Sequence, residues 1–339
     1  MNKRKVIIDT DPGVDDALAI IYALKHPEIE VLGITTVGGN KGLETTSLNA
    51  TRVLNRFDNI LKPIVFKGKN RPYAEEIDKL FNRNIDYDKE VIHGTEGLGQ
   101  ADLISNEKLI SDKDAVSFIL ETVKQYPDEV DIIALGPLTN IAYCIEQDES
   151  TMKKVKSIHS MGGGIHRGNR TPVAEFNYWF DPHAVNKVFS IGEDVPIHMV
   201  GLDLTHQAIF DWNDLAFIRL NGGETGSIIY SMLTDYAEFY WGQHRILGCV
   251  MHDLTAMVGY AQPDIYTEIA QANMQCVIDE GPASGQTIVD LENRWGHAEN
   301  AYIPLELDVN AYMQSIFEVF FDEEVAKEYK TLTSTTENN

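Results

Sequence analysis

The run Val6-Ile7-Ile8-Asp9-Thr10-Asp11-Pro12-Gly13-Val14-Asp15-Asp16 sets four aspartates around one turn, behind an apolar stretch and ahead of a helix-period segment. Carboxylates crowded in this way repel one another unless a hard cation, bound hydroxyls or helix N-terminal amides share the charge. Capping the helix that begins at Ala17 takes one aspartate, Asp15 or Asp16, and leaves the others for a cation or polar ligands. Far along the chain another aspartate, Asp253, follows His252, a side chain that can move a proton near neutral pH.

The elements that must position these groups follow a βαβ rhythm. Apolar strands are expected at Lys5 to Asp9, Val31 to Val37 and Ile64 to Lys67, with helices at Asp16 to Lys25 and Leu43 to Phe57 between them. Further strands are expected at Val130 to Leu135, Val155 to Met161 and Ile197 to Val200. Helices are expected at Asp114 to Gln125, Thr139 to Gln147 and Asp181 to Phe189. This is an α/β chain with an open, mostly parallel central sheet and flanking helices. Ligands of such sheets sit at the carboxyl ends of the strands. The turn from Asp9 to Asp16, Asn40, Leu135 and Met161 all fall there, so one crevice can collect them. Between Gly68 and Gln100 runs a long polar connection carrying His93, of a length that often serves as a lid. Gly226 to Leu247 reads as a helix with Tyr236 and Tyr240 on one face, a spacing for which core packing is the default.

Composition narrows the class. A 339-residue chain with 43% hydrophobic residues has ample material for a core. No linker or internal repeat divides it, so residues 1–330 read as one domain, followed by a polar tail from Thr331 to Asn339 that is expected to fray. The net charge of −24 repels a phosphate backbone, and no basic cluster exceeds Lys3-Arg4-Lys5, which argues against nucleic acid as a partner. No uninterrupted apolar stretch reaches the roughly eighteen residues of a membrane span, and the chain opens on a charged strand; neither insertion nor export is expected. Cys144, Cys249 and Cys276 are widely spaced among apolar neighbours, which reads as buried free thiols in a reducing compartment.

The aspartate turn resembles the D-x-D-P-G-x-D-D segment that opens the inosine-uridine preferring nucleoside hydrolases. Further stretches agree with that family in order and spacing: Thr36-Val37-Gly38-Gly39-Asn40, Ile92-His93-Gly94 with Gly97-Leu98, and Gly136-Pro137-Leu138-Thr139-Asn140. Met161-Gly162-Gly163-Gly164, Asn169 with Glu175-Phe176-Asn177, and His252-Asp253 complete the series, which spans most of the chain.

The resemblance implies a Rossmann-like nucleoside hydrolase fold and calcium bound by Asp11, Asp16, the backbone carbonyl of Leu135 and Asp253. An all-oxygen shell suits a hard cation rather than zinc or copper. It implies further that Asp11 takes the proton from the attacking water, and that Asp15 and Asn40 contact the ribose hydroxyls and that water. Asn169 and Glu175 match groups that hold the 5′-hydroxyl, Asn177 one that holds the 3′-hydroxyl, and Met161 would pack beside the sugar. Asp9 matches no single role; it orients the loop or supports a ligand from behind. His252 becomes a candidate acid for the departing base. Tyr236 and Tyr240 lie where the family places aromatic residues near the base, while His93 stays open between core, surface and base contact.

The expected reaction is hydrolysis of the N-ribosidic bond of inosine, uridine or related nucleosides through an oxocarbenium-like transition state. The resemblance also implies a homodimer or homotetramer working in cytoplasmic salvage. Two rivals remain: phosphoryl or phosphoribosyl transfer, and a non-catalytic nucleoside sensor on the same scaffold. The first needs a phosphate cradle, and neither a Walker-type loop nor a basic cluster stands at the motif strand ends. The second has no use for a base and an acid such as Asp11 and His252.

Overall fold

The computed structural model describes residues 3–57, 63–73, 75, 83 and 92–336. Its apolar runs form strands and its amphipathic segments form helices in the alternation that the sequence predicts. β1 (Arg4–Thr10), α1 (Val14–Lys25), β2 (Ile29–Thr36), α2 (Leu43–Phe57) and β3 (Val65–Lys67) come first. They are followed by α3 (Ala115–Gln125), β4 (Val130–Ala134), α4 (Thr139–Met152) and β5 (Ser157–Met161). Next come α5 (Phe176–Phe180), α6 (Pro182–Phe189), β6 (Ile197–Val200) and the single turn α7 (Leu202–Thr205). β7 (Ile209–Asp211), α8 (Trp212–Asn221), α9 (Gly223–His244), β8 (Gly248–Val250) and α10 (His252–Ala261) follow. The chain closes with β9 (Tyr266–Cys276), β10 (Thr287–Asp290), β11 (Ala301–Leu307), α11 (Val309–Phe320) and α12 (Glu323–Thr336).

The main sheet has nine strands in the order β10-β9-β11-β6-β5-β4-β1-β2-β3. Neighbours from β3 to β11 run parallel, while β9 and β10 add an antiparallel edge. The chain moves outward from β1 through β2 to β3, then returns to the other side of β1 and builds β4, β5 and β6. The direction therefore reverses between β1 and β4, and the crevice at their carboxyl ends is where an open sheet of this kind takes its ligand. Strand pleat separates two cores. Val6 and Ile8 pack under α1, α9, α10 and α11, whereas Ile7 faces α3, α4 and α6 on the other side.

Asn140, buried at the start of α4, fastens the reversal point. Its Nδ2 donates to Asp9 Oδ1 at 2.8 Å and to the Thr36 carbonyl at 3.1 Å, and its Oδ1 accepts from Lys69 N at 2.9 Å. One amide thus ties the ends of β1 and β2 and the turn after β3 to the helix that follows β4.

Three features depart from the sequence reading. The edge formed by β9, β10 and β11 and the two-stranded ribbon of β7 and β8 lie beyond the parallel rhythm, because antiparallel pairing is set by contacts distant in sequence. The polar tail is not frayed from Thr331: α12 continues through Thr336. Tyr329 stacks on Phe317 at 3.6 Å, and the hydroxyls of Thr331 and Thr333 bond back to the Lys327 and Tyr329 carbonyls at 2.9 and 3.1 Å, which carries the helix past that point. Of the long connection, residues 74, 76–82 and 84–91 lie outside the described residues, so the lid reading applies there only to the sequence.

Replacing Asn140 with Ala leaves a carboxylate, a carbonyl and an N–H short of a partner in a buried setting, at about 1–3 kcal/mol for each fully orphaned group. Urea unfolding of Asn140→Ala is expected to show a loss of about 2–4 kcal/mol. An unchanged midpoint would refute the role given to this amide.

Candidate active site

The aspartate turn folds back on itself so that its side chains meet at the reversal point. Asp9 is fully buried and turns away from the crevice: Oδ1 accepts from Thr35 Oγ1 at 2.5 Å and from Asn140 Nδ2 at 2.8 Å. Burial nevertheless raises its carboxyl to about 6. Asp16, the third residue of α1, accepts from the hydroxyl of Thr10 and, through Oδ2, from Gly13 N at 2.9 Å, closing the helix N-terminus. Asp11 Oδ2 accepts from Asn40 N at 2.6 Å, while Asp11 Oδ1 is buried without a hydrogen-bond partner among the described residues. Backbone closes on this carboxylate from two sides. A Cβ on Gly39 would lie 2.1 Å from Asp11 Oδ2, and one on Gly136 would lie 2.4 Å from Oδ1.

From the opposite wall α10 delivers Asp253. Carboxylate oxygens of Asp15, Asp16 and Asp253 lie within 4.8 Å of one another, all three residues buried. Desolvation first, then mutual repulsion, raises the carboxyls of Asp11, Asp15 and Asp253 above the usual range. Such a cluster stays charged when a cation shares it, and the orphaned Asp11 oxygen borders the same space. The donor set is entirely oxygen, which fits a hard divalent ion. The triplet differs from the expected ligand set by including Asp15. The Leu135 carbonyl already accepts from Asn177 Nδ2 at 2.7 Å and keeps a second lone pair.

The sugar side is built at the ends of β4 and β5. Glu175 caps α5: Oε1 accepts from Asn177 N at 2.8 Å, and Oε2 accepts from Gly163 N at 2.9 Å and Tyr178 N at 3.1 Å. Burial raises its carboxyl to about 7 against these three bonds. Asn177 donates also to the Met161 carbonyl at 3.2 Å, leaving its amide oxygen to accept from a hydroxyl. Asn169 Oδ1 accepts from Phe176 N at 2.9 Å, which leaves its amide nitrogen as the free donor. A single pocket of about 860 Å³ is lined by these groups, by Asp15, Asn40, Leu135 and Met161, and by Asp253. Asp11 and Asp16 are buried and do not line it.

The remaining wall is aromatic. Tyr236 and Tyr240 project from α9 with rings 5.1 Å apart and nearly perpendicular, and His93 stacks on Tyr236 at 5.2 Å. Both tyrosines are buried and line the pocket, so the core and ligand readings of this pair coincide. His93 Nδ1 lies 3.9 Å from Asp15 Oδ1 yet accepts the Val14 N–H at 3.1 Å, and burial lowers its pKa. The ring is neutral and the contact is no ion pair. His252 is held between two hydroxyls, Nδ1 2.7 Å from Thr205 Oγ1 and Nε2 2.7 Å from Tyr240 OH. Burial drives its pKa well down, with the neighbouring histidines adding to the effect, so this imidazole is neutral too.

The pocket contains further residues that the sequence reading passed over: Ile92, Arg170, Phe176, Phe239 and His244. Phe239 and His244 follow Tyr236 and Tyr240 at helical spacing of three and four, a signal that was available. Arg170 and Phe176 adjoin quoted motif residues, whereas Thr205 carried no local sign.

The comparisons agree with this geometry. A family model described as inosine-uridine preferring nucleoside hydrolase matches residues 6–314. The non-specific ribonucleoside hydrolase RihC of Salmonella agona (strain SL483) is 35% identical over 317 residues, covering 93% of this chain and 97% of its own. Uridine nucleosidase 1 of Arabidopsis thaliana is 33% identical over 301 residues, covering 88% and 86%. Among solved structures, the plant nucleoside hydrolase PpNRh1 superposes with a TM-score of 0.84 at 30% identity, over 94% of this chain and 99% of its own. A purine-preferring ribonucleoside hydrolase from Gardnerella vaginalis gives 0.84 at 28% identity, over 96% and 99%.

If the carboxylate cluster holds a cation, binding to the folded state alone stabilises it by mass action, by about 2.7 kcal/mol at a hundredfold excess over Kd. Adding calcium to chelator-treated protein is expected to raise the melting temperature, and Asp16→Ala or Asp253→Ala to abolish both that shift and stoichiometric calcium binding. Either variant binding calcium as the parent does would remove that residue from the cation site.

Proposed function

The chain belongs to the inosine-uridine preferring nucleoside hydrolases and hydrolyses the N-glycosidic bond of nucleosides; from that premise we propose a calcium-dependent enzyme that releases free base and ribose from inosine, uridine and related ribonucleosides. The observation that carries the proposal is the division of one pocket into a carboxylate end, a hydrogen-bonding sugar wall and a neutral aromatic wall. A transition state resembling a ribosyl oxocarbenium ion needs those three environments together.

Asp11, Asp15, Asp16, Asp253 and the Leu135 carbonyl supply the oxygens that would hold calcium. When bound, the ion offsets their repulsion and makes adjacent water more acidic. Asp11 is the group for accepting the proton of the attacking water, because Oδ1 is unengaged while Asn40 N fixes Oδ2. Asp15 and Asn40 at the cation end, with Asn169, Glu175 and Asn177 across from them, can satisfy the ribose hydroxyls in a buried setting. Each then discriminates against a sugar that lacks its hydroxyl.

At the far end His252 works as a neutral ring within the Tyr240–His252–Thr205 chain, so a proton for the departing base comes through Tyr240 OH and is made good from His252. Tyr236, Tyr240 and His93 offer faces and edges on which a base can stack. The proposal includes a homodimer or homotetramer acting in cytoplasmic nucleoside salvage. No helix among the described residues is long and apolar enough to cross a membrane.

Two experiments test the reaction. Base release should proceed without phosphate and yield ribose; accumulation of ribose 1-phosphate would show phosphorolysis instead. In the second, general acid help is worth about a hundred- to ten-thousand-fold, and a leaving group that departs readily as an anion does without it. His252→Ala is therefore expected to slow inosine far more than 4-nitrophenyl riboside, whereas Asp11→Asn slows both by comparable factors. Equal losses for the two substrates in His252→Ala would end the acid assignment.

A further inference from the structure

We propose that Thr205 is a positioning residue that sets the direction of the proton chain, its hydroxyl donating to His252 Nδ1 and so compelling Tyr240 to point its own proton at the departing base. The inference rests on the reading of His252 and Tyr240 given above, and adds a residue outside the pocket lining.

The argument is one of hydrogen counting. A neutral imidazole carries one N–H, so one ring nitrogen donates and the other accepts. His252 lies 2.7 Å from a hydroxyl on each side, which allows two arrangements. In the first, Nδ1–H donates to Thr205 and Tyr240 donates to Nε2; the phenol proton is then spent on the histidine. In the second, Thr205 donates to Nδ1 and Nε2–H donates to Tyr240 oxygen, which frees the phenol proton to face the pocket. Only the second can deliver a proton to the base.

The surroundings of Thr205 select the second. Its side chain is fully buried, and among the described residues its hydroxyl has no hydrogen-bond partner other than His252. In the first arrangement the threonine proton has no acceptor, a buried donor left unpaired; in the second every proton is used. Tyr236, the neighbouring phenol, is occupied elsewhere, its hydroxyl donating to Asp15 Oδ2 at 3.4 Å.

Thr205 is also held firmly enough to act as a fixed donor. It closes the single turn α7, with Thr205 N bonded to the Gly201 carbonyl at 3.1 Å and Leu202 N to the Gly163 carbonyl at 2.9 Å. Gln207 fastens that turn to β11: Nε2 donates to the carbonyls of Asp203 at 3.1 Å and Leu305 at 2.9 Å, and Oε1 accepts from Leu307 N at 3.0 Å. The end of β6 thereby contributes to the site without touching substrate.

The test compares Thr205→Val, close in shape but without the hydroxyl, with Thr205→Ser and His252→Ala in one assay on inosine and 4-nitrophenyl riboside. Thr205→Val is expected to lose about 10- to 100-fold in kcat on inosine, with KM and turnover of the nitrophenyl substrate nearly unchanged. Thr205→Ser is expected to recover most of the loss, since it restores the donor. Unaltered nitrophenyl turnover also certifies that the variant is folded and holds its cation. If His252→Ala discriminates between the substrates and Thr205→Val does not, the positioning role fails while the acid assignment stands. If His252→Ala slows both substrates equally, both readings fall. Equal losses on both substrates in Thr205→Val, without rescue by Ser, would make Thr205 a packing residue and overturn the inference.

Discussion

Five buried carboxylates around one strand reversal are the constraint to which this structure answers. Asp9, Asp11, Asp15, Asp16 and Asp253 are each at most 4% exposed. An uncompensated buried charge costs several kcal/mol, so five of them cannot be tolerated as a loose cluster. Two are settled internally, Asp9 by Thr35 and Asn140 and Asp16 by Thr10 and the α1 N-terminus. The other three have carboxyls pushed upward by burial and by one another, which amounts to a demand for positive charge. The glycines at 39 and 136 belong to the same solution: they let the backbone close on Asp11 where a side chain would collide with it.

That demand organises chemistry as well as folding. An acidic end held near a cation suits the activation of water and the developing positive charge of a ribosyl group. The aromatic end is the opposite environment, with His93 and His252 both kept neutral by burial and surrounded by phenols. A proton donated there comes from a hydroxyl chain and not from an imidazolium. The polar wall of Glu175 and Asn177 stands between the two ends, bonded into backbone on nearly every side, so the sugar meets groups that are already fixed.

Much of this was legible in the chain because it is local. The apolar runs and helix-period segments gave the strands and helices through β6 to within a few residues at most boundaries, and polar motifs at strand ends fell in one crevice as open-sheet geometry requires. What spacing could not decide is which aspartate faces which. Asp9 turns toward Thr35 and Asn140, while Asp15 joins Asp16 and Asp253, a choice set by partners on β2, α4 and α10. The β9–β11 edge and the β7–β8 ribbon escaped for the same reason. Thr205 was invisible, since a threonine in a short turn announces nothing until His252 arrives beside it from another element.

The two ends of the pocket also differ in what holds them. The carboxylate and sugar groups come mainly from the ends of β1, β2, β4 and β5 and from the turns that follow, four neighbouring strands of one hydrogen-bonded sheet. The base wall comes from α9 and from the segment around His93, neither of which is part of that sheet. A change in α9 can reshape the aromatic surface while leaving the strand ends, and with them the cation and sugar contacts, where they are. His252 stands at the join: it starts α10 one residue before Asp253, yet its ring reaches Tyr240 on α9. The physical link between sugar chemistry and base recognition therefore runs through a single peptide unit, which ties the proton chain to the cation site even when the base wall is free to vary.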